Sequence, residues 1–324
     1  MKFPTRQSRF FLLLKLSVTA VAMLILIRAV HVREILGALR NPARPDCLAA
    51  AAILLVPNLL LQWIRWHLLL RLINPHTPVS DSVASLFGGM VAGFVTPGRI
   101  GEIGRTLFLK HEDRLQAVGL IVIDKLYAFF PVAAAGFWGL VLLLSYQYGY
   151  APFLVWPLFF GAVVFMALSL TVILHPEWIR SFLYYLSMLM PAREKLKRII
   201  SCIDRFSRPD ALLQAGLASL LYAVYILQFC LLAFAFQPVP WTTALTATTS
   251  VILVKTILPV SIGDLGIREG ASVYFFTRFN VEQATAFNAS LLLFVLNVLI
   301  PTILGLIFIP RMGWPERKDM KRHK

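Results

Sequence analysis

Residues 93–107 read GFVTPGRIGEIGRTL. Four glycines, a proline, two arginines and a glutamate fall together there, in a chain that is otherwise mostly apolar. Of its 324 residues, 58% are hydrophobic and 15% are charged, and mean hydropathy is +0.74. A soluble domain of this size cannot hide so much apolar surface. The long apolar runs define an all-α polytopic membrane protein. A proline and glycines at such a point break a helix, and broken backbone is tolerated at membrane depth only where protein or a watery cavity covers it.

Working outward, six apolar segments are long enough to span, at roughly 10–30, 48–70, 115–145, 152–174, 211–236 and 284–309. The first follows a basic N-terminus without an A-x-A-like cleavage site, so it reads as a retained helix rather than a signal peptide. The third carries Pro131 near its middle and fits either one tilted, kinked helix or two short ones. Between spans two and three, and again between five and six, lies an apolar half, a Pro/Gly break and a second amphipathic half. Neither half is comfortably long enough to cross alone, so each segment reads as a re-entrant helical hairpin.

The two breaks match. Residues 97–104 are PGRIGEIG and residues 259–266 are PVSIGDLG, 162 positions apart. Pro97, Gly101 and Gly104 align with Pro259, Gly263 and Gly266, and Glu102 with Asp264; Gly98 follows the first proline. A Gln-Ala pair follows each motif, at Gln116 and Gln283, and opens a span with an internal proline, Pro131 or Pro301. Residues 10–146 and 150–310 therefore form two repeat halves. Three crossings per half require the second to be inverted, an architecture common in secondary transporters.

Charge agrees with cytoplasmic N- and C-termini. With all six spans crossing, the inner segments hold 21 Lys/Arg and the outer ones 6. This asymmetry, together with the attraction of basic segments to anionic headgroups, accounts for the net charge of +15 without nucleic acid. Residues 192–208 have apolar positions at helical spacing and read as a cytoplasmic amphipathic helix, lying on the inner membrane surface or serving as a solvated linker. Residues 311–324 form a basic tail. The three cysteines are dispersed and imply neither disulfide nor metal.

At the first break, open N–H groups at a helix start favour an anion. On an α-helix Arg99, Glu102 and Thr106 share a face, with Arg105 on the next stripe; the plain alternative is that they anchor the hairpin at headgroup level. Asp264 and Arg268 are an i,i+4 pair, either a local salt bridge or a headgroup contact, and Glu269 follows. Asp124 and Lys125 lie inside span three, where Asp124 can pair with Arg99 or Arg105. Asn58, Gln62 and Arg65 form a stripe on span two, with Arg65 suited to snorkelling. No P-loop, H-E-x-x-H or G-x-S-x-G occurs. No catalytic residue, metal or cofactor is implied, and the chain is expected not to be an enzyme.

TPGRIGEIGR, then VIDKLYAF, then LPVSIGDLGIREGAS resemble the signatures of the lysylphosphatidylglycerol synthase transmembrane, or flippase-like, family over nearly the whole chain. The resemblance implies charged functional positions at Glu102, Arg105, Asp124, Arg268 and Glu269. It also implies a lipid flippase or scramblase of the bacterial inner membrane, as in the flippase half of multiple peptide resistance factors. This chain has Gly98-Arg99 and Gly263-Asp264 where the family often has Gly-Gly, and Asp124-Lys125 where Asp-Arg is usual. With a basic tail at residues 311–324 where the synthases continue, the soluble synthase domain is not expected here. The expected substrate is a phospholipid, including aminoacylated phosphatidylglycerol, or a polyprenyl-phosphate-linked headgroup. Arg99, Arg105 and Arg268 would hold phosphate; Glu102, Asp124, Asp264 and Glu269 would balance charge or bind a cationic headgroup. A lipid-headgroup enzyme using Glu102 or Asp124 as base, and a subunit docking a glycosyltransferase or lipid synthase, are the alternatives. Assembly with further copies of the chain is compatible with each.

Overall fold

The computed structural model describes residues 42–96, 99–109, 113–149, 152–188, 193–258 and 266–312. The expected first span at 10–30, the break residues Pro97, Gly98, Pro259, Gly263 and Asp264, and tail residues 313–324 lie outside the described residues. Among the described residues every regular element is helical.

Five helical runs are long and apolar enough to cross a membrane: Pro45–Ile73, Arg114–Tyr148, Val155–Leu174, Arg208–Phe234 and Gln283–Leu306. They correspond to the second through sixth expected spans, and the protein is a multi-pass membrane protein. The first run is α1 (Pro45–Ile53) and α2 (Leu55–Ile73). They part at Leu54 because Pro57 has no N–H to offer the carbonyl four residues back. Helix α3 (Val79–Phe94) leads to the first break. Helix α4 (Arg114–Tyr148) is one continuous helix through Pro131, which settles the two alternatives for that span. At 1.5 Å per residue its 35 residues reach about 50 Å, well beyond a bilayer core of ~30 Å. Asp113 caps its start, accepting from Leu115 N at 3.0 Å.

Helix α5 (Pro152–Leu174) presents Phe153, Trp156, Phe160 and Leu168 outward, as a lipid-facing span does. Helices α6 (Pro176–Met188) and α7 (Arg193–Ile200), then a 3-10 turn (Ser201–Arg205), follow. The apolar side of this last segment is not left for the membrane surface. Ile200, Cys202, Ile203 and Phe206 are buried against α4, and Phe206 stacks edge-on to Tyr127. Gly119 of α4 makes room, since a Cβ there would overlap the Ile199 carbonyl.

Helix α8 (Arg208–Phe234) opens with a capping box in which Ser207 N donates to Asp210 at 3.0 Å. Helix α9 (Trp241–Ile257) and α10 (Ile267–Thr277) flank the second break. The final run is α11 (Gln283–Phe294), a π-turn (Val295–Leu299) and α12 (Ile300–Leu306). The widened turn lies where the Pro301 ring would otherwise strike the carbonyl of Asn297.

Glycines bring α4 against α9 and α3 against α12. A Cβ at Gly136 or Gly139 of α4 would overlap Leu253 or Thr249 of α9. A Cβ at Gly305 of α12 would overlap Val91 and the Phe87 carbonyl of α3. Phe87 and Val91 precede Thr249 and Leu253 by 162 residues, the offset that relates the two motifs. Small residues let these helices approach closely where the hydrophobic effect between lipid-immersed helices is absent. Gly139→Val should therefore destabilise the fold by about 1–3 kcal/mol. Gly161→Ala on α5, where a Cβ meets nothing within 4 Å, should not. Thermal unfolding in detergent checks this, and equal midpoints for the two variants would refute the packing account.

Candidate functional site

The break after α3 is built on a small-residue face. Gly88, Gly89 and Gly93 lie under Phe108, Arg105 and Glu102, and a Cβ at each would overlap those side chains. Helix α3 ends at Phe94, and beyond the break Arg99 leads into a 3-10 helix, Ile100–Phe108, that packs against α3. Thr96 shapes the turn. Its Oγ1 accepts from Gly101 N at 2.7 Å and donates to the Ala92 carbonyl at 3.1 Å. That hydroxyl occupies an N–H expected to lie open for an anion. Gly101 is required here, because a Cβ would overlap the Ala92 carbonyl; Gly104 meets only the Ala92 methyl at 3.1 Å.

Three residues per turn also change which side chains share a face. Glu102 and Arg105 are eclipsed, in line with Arg99, rather than Arg99 and Glu102 with Thr106. Glu102 Oε1 takes Arg99 Nε at 2.9 Å. Its Oε2 takes Arg105 Nη2 at 2.9 Å and Lys125 Nζ of α4 at 2.5 Å. Arg105 Nη1 continues to Asp124 Oδ2 at 3.1 Å, and Asp124 Oδ1 takes Arg65 Nη2 of α2 at 2.8 Å. Arg65 also donates to the Asp124 carbonyl at 2.9 Å. The result is a ladder of four cations on two carboxylates, a formal excess of two positive charges among the described residues. Glu102, Arg105, Asp124 and Arg65 are buried, whereas Arg99 is 24% and Lys125 50% exposed at the side chain.

Trp66 holds Arg105 in place. The guanidinium lies 5.2 Å from its ring centroid, the indole N–H donates to Ser85 Oγ at 3.2 Å, and Ser85 donates to the Arg105 carbonyl at 2.9 Å. Arg99 itself has φ 58°, ψ 25°, a left-handed conformation rare for a residue with a side chain.

The second break carries a smaller cluster. Arg268, fully buried, pairs with Glu269 Oε1 at 2.7 Å and donates from Nε to Ser290 Oγ at 3.1 Å. Glu269 Oε2 accepts from Gly266 N at 2.7 Å, capping α10. Gly266 has φ 89° and so suits glycine. The Arg268 guanidinium lies 5.6 Å from the Phe294 ring centroid, and Phe294 meets Phe94 of the first break at 6.4 Å. An aromatic pair thus joins Arg268 to the end of α3, the helix that leads to the first break. Two surface pockets, lined by Arg44, Phe234 and Trp241 and by Arg180, Asp204 and Arg208, share no residue with either cluster.

The structure brings Arg99, Glu102, Arg105, Asp124 and Lys125 together, and of the two expected partners Asp124 takes Arg105. Arg268 and Glu269 form a separate site. Asp264, the expected partner of Arg268, is outside the described residues. Arg65 does not snorkel: it is 3% exposed and joins the ladder. The Asn58–Gln62–Arg65 stripe was its signal, as Gly89-x-x-x-Gly93 was for the close approach beneath Glu102. Asn297 bonds between helices, donating to Gln228 Oε1 at 2.8 Å.

A protein-family profile described as the Lysylphosphatidylglycerol synthase TM region matches residues 12–305. No curated protein and no solved structure matches the chain.

Replacing Asp124 leaves two buried guanidinium groups short of a counter-charge. Asp124→Asn should destabilise the protein by about 3–5 kcal/mol. Arg44→Ala, which breaks the exposed Arg44–Asp46 pair, should leave the unfolding midpoint unchanged. Thermal unfolding of the three proteins side by side measures the difference; matching midpoints would show that the ladder does not hold the fold.

Proposed function

The chain belongs to the lysylphosphatidylglycerol synthase transmembrane family, and on that premise we propose that it moves the polar headgroup of an anionic lipid between the leaflets of a bacterial inner membrane. The substrate is a phospholipid, with aminoacylated phosphatidylglycerol one member of the class, or a polyprenyl-phosphate carrier. The observation that carries this reading is the ladder at the first break: four cations on two carboxylates inside an apolar bundle. Charges at membrane depth are costly and kept where a substrate path needs them. A phosphate bearing one or two negative charges is the complement of that excess, and arginine forks match its oxygens.

In this reading the two breaks are re-entrant hairpins of an inverted repeat, entering from opposite sides. The N- and C-termini are cytoplasmic. The headgroup passes between Arg99 and Arg105 on one side and Arg268 on the other, and Phe94 and Phe294 must part to let it through. Glu102 and Asp124 are each engaged by at least two cations, which suits charge balance better than proton abstraction, so no catalytic step is assigned. A lipid synthase or glycosyltransferase that supplies the substrate is the natural partner.

Reconstitution tests this. Liposomes carrying the protein should expose an inner-leaflet anionic headgroup faster than empty liposomes do. Arg105→Ala should slow that rate by at least about tenfold, since it removes the cation that bridges both carboxylates and holds the site together. Arg105→Lys, which keeps the charge without the fork, should fall between. Wild-type rates equal to empty liposomes across phosphatidylglycerol, its aminoacylated form and a polyprenyl phosphate would overturn the proposal.

A further inference from the structure

The ladder is not uniform along its length. At the Asp124 end both partners, Arg65 and Arg105, are sealed, with side chains 4% and 5% exposed. At the Glu102 end two of three partners reach the surface: Arg99 at 24% and Lys125 at 50%. Glu102 itself is 2% exposed. Its stem cannot move far, because Gly93 lies close enough that a Cβ there would overlap Glu102 Cγ. The groups able to swing are therefore the two cations. Lys125 is a point charge on a flexible four-carbon stem. Arg99 likewise reaches Glu102 through a long, partly exposed side chain.

We propose that Glu102 is an internal stand-in for the substrate: it holds Arg99 and Lys125 while the site is empty and yields them to an incoming phosphate. This deepens the lipid-headgroup reading and rests on it. The carboxylate and a phosphate oxygen offer the same acceptor chemistry to a guanidinium and an ammonium. Glu102 and the headgroup therefore compete for the same two donors, while Arg105 and Arg65 remain on Asp124. Competition weakens binding and speeds release, so the carboxylate tunes residence time. Glu102 acts here as a positioning residue for the two cations, not as a group that reacts.

The test separates tuning from mere structural support, because the two roles move binding in opposite directions. Wild type and Glu102→Gln, purified as full chains, are titrated with phosphatidylglycerol, a polyprenyl phosphate and phosphatidylcholine by native mass spectrometry. Headgroup transport is followed in liposomes. With the competing charge gone, Glu102→Gln should bind the anionic lipid about tenfold more tightly and transport it more slowly. Whichever anionic lipid shows the gain identifies the phosphate source. Lys125→Gln should bind it more weakly than wild type. Glu102→Asp keeps the charge but withdraws it from Lys125, so it should tighten binding by a smaller factor, and it carries the test if Glu102→Gln does not fold. Unchanged or weaker anionic-lipid binding by the Glu102 variants overturns the inference, even if wild type transports. Tighter binding by them in a protein that transports nothing refutes the transport reading and leaves the counter-ion exchange standing.

Discussion

Glu102, Arg105 and Asp124 form the interaction on which the rest depends. Two carboxylates cannot stay charged in an apolar bundle without close cations, and four cations cannot stay there without acceptors. The ladder answers both needs at once, and it does so across three elements: Arg65 from α2, Asp124 and Lys125 from α4, and the break residues between them. Each element is thereby fixed relative to the others by groups that pay heavily if displaced. The glycines of α3, the Thr96 turn and the Trp66–Ser85 brace all serve to bring a broken segment of backbone to that depth.

The two matched motifs are followed by clusters of different charge. At the second break Arg268 and Glu269 form a closed pair braced by Ser290 and Phe294. At the first, cations outnumber carboxylates among the described residues. Glycine contacts tie α9 to α4 and α3 to α12. Phe294, beside Arg268, meets Phe94 at the end of α3.

How much was legible follows from how local each signal is. Spans, breaks and the matched motifs are written in runs of apolar residues and in prolines and glycines, so residues 97–104 and 259–266 announced themselves. The face on which the first charges lie did not. A 3-10 turn and an α-helix can be written by the same residues, and close packing on Gly89 and Gly93 selected the tighter form, which moved Arg105 into line and Thr106 out of it. Likewise Ile200, Ile203 and Phe206 have the periodicity of a membrane-surface helix, yet they are covered by α4.

The sequence alone determined that this is a multi-pass helical membrane protein with charges gathered at two repeated breaks. Hydropathy and helix-breaking chemistry act over a few residues and need no knowledge of neighbours. Only the tertiary structure decided which charges meet. Arg65 lies 59 residues from Asp124, and Lys125 reaches Glu102 from another helix. An ion pair inside a membrane depends on which helices touch and at what height, and that is fixed by close packing at glycines far apart in the chain. The same packing left one end of the ladder sealed and the other open.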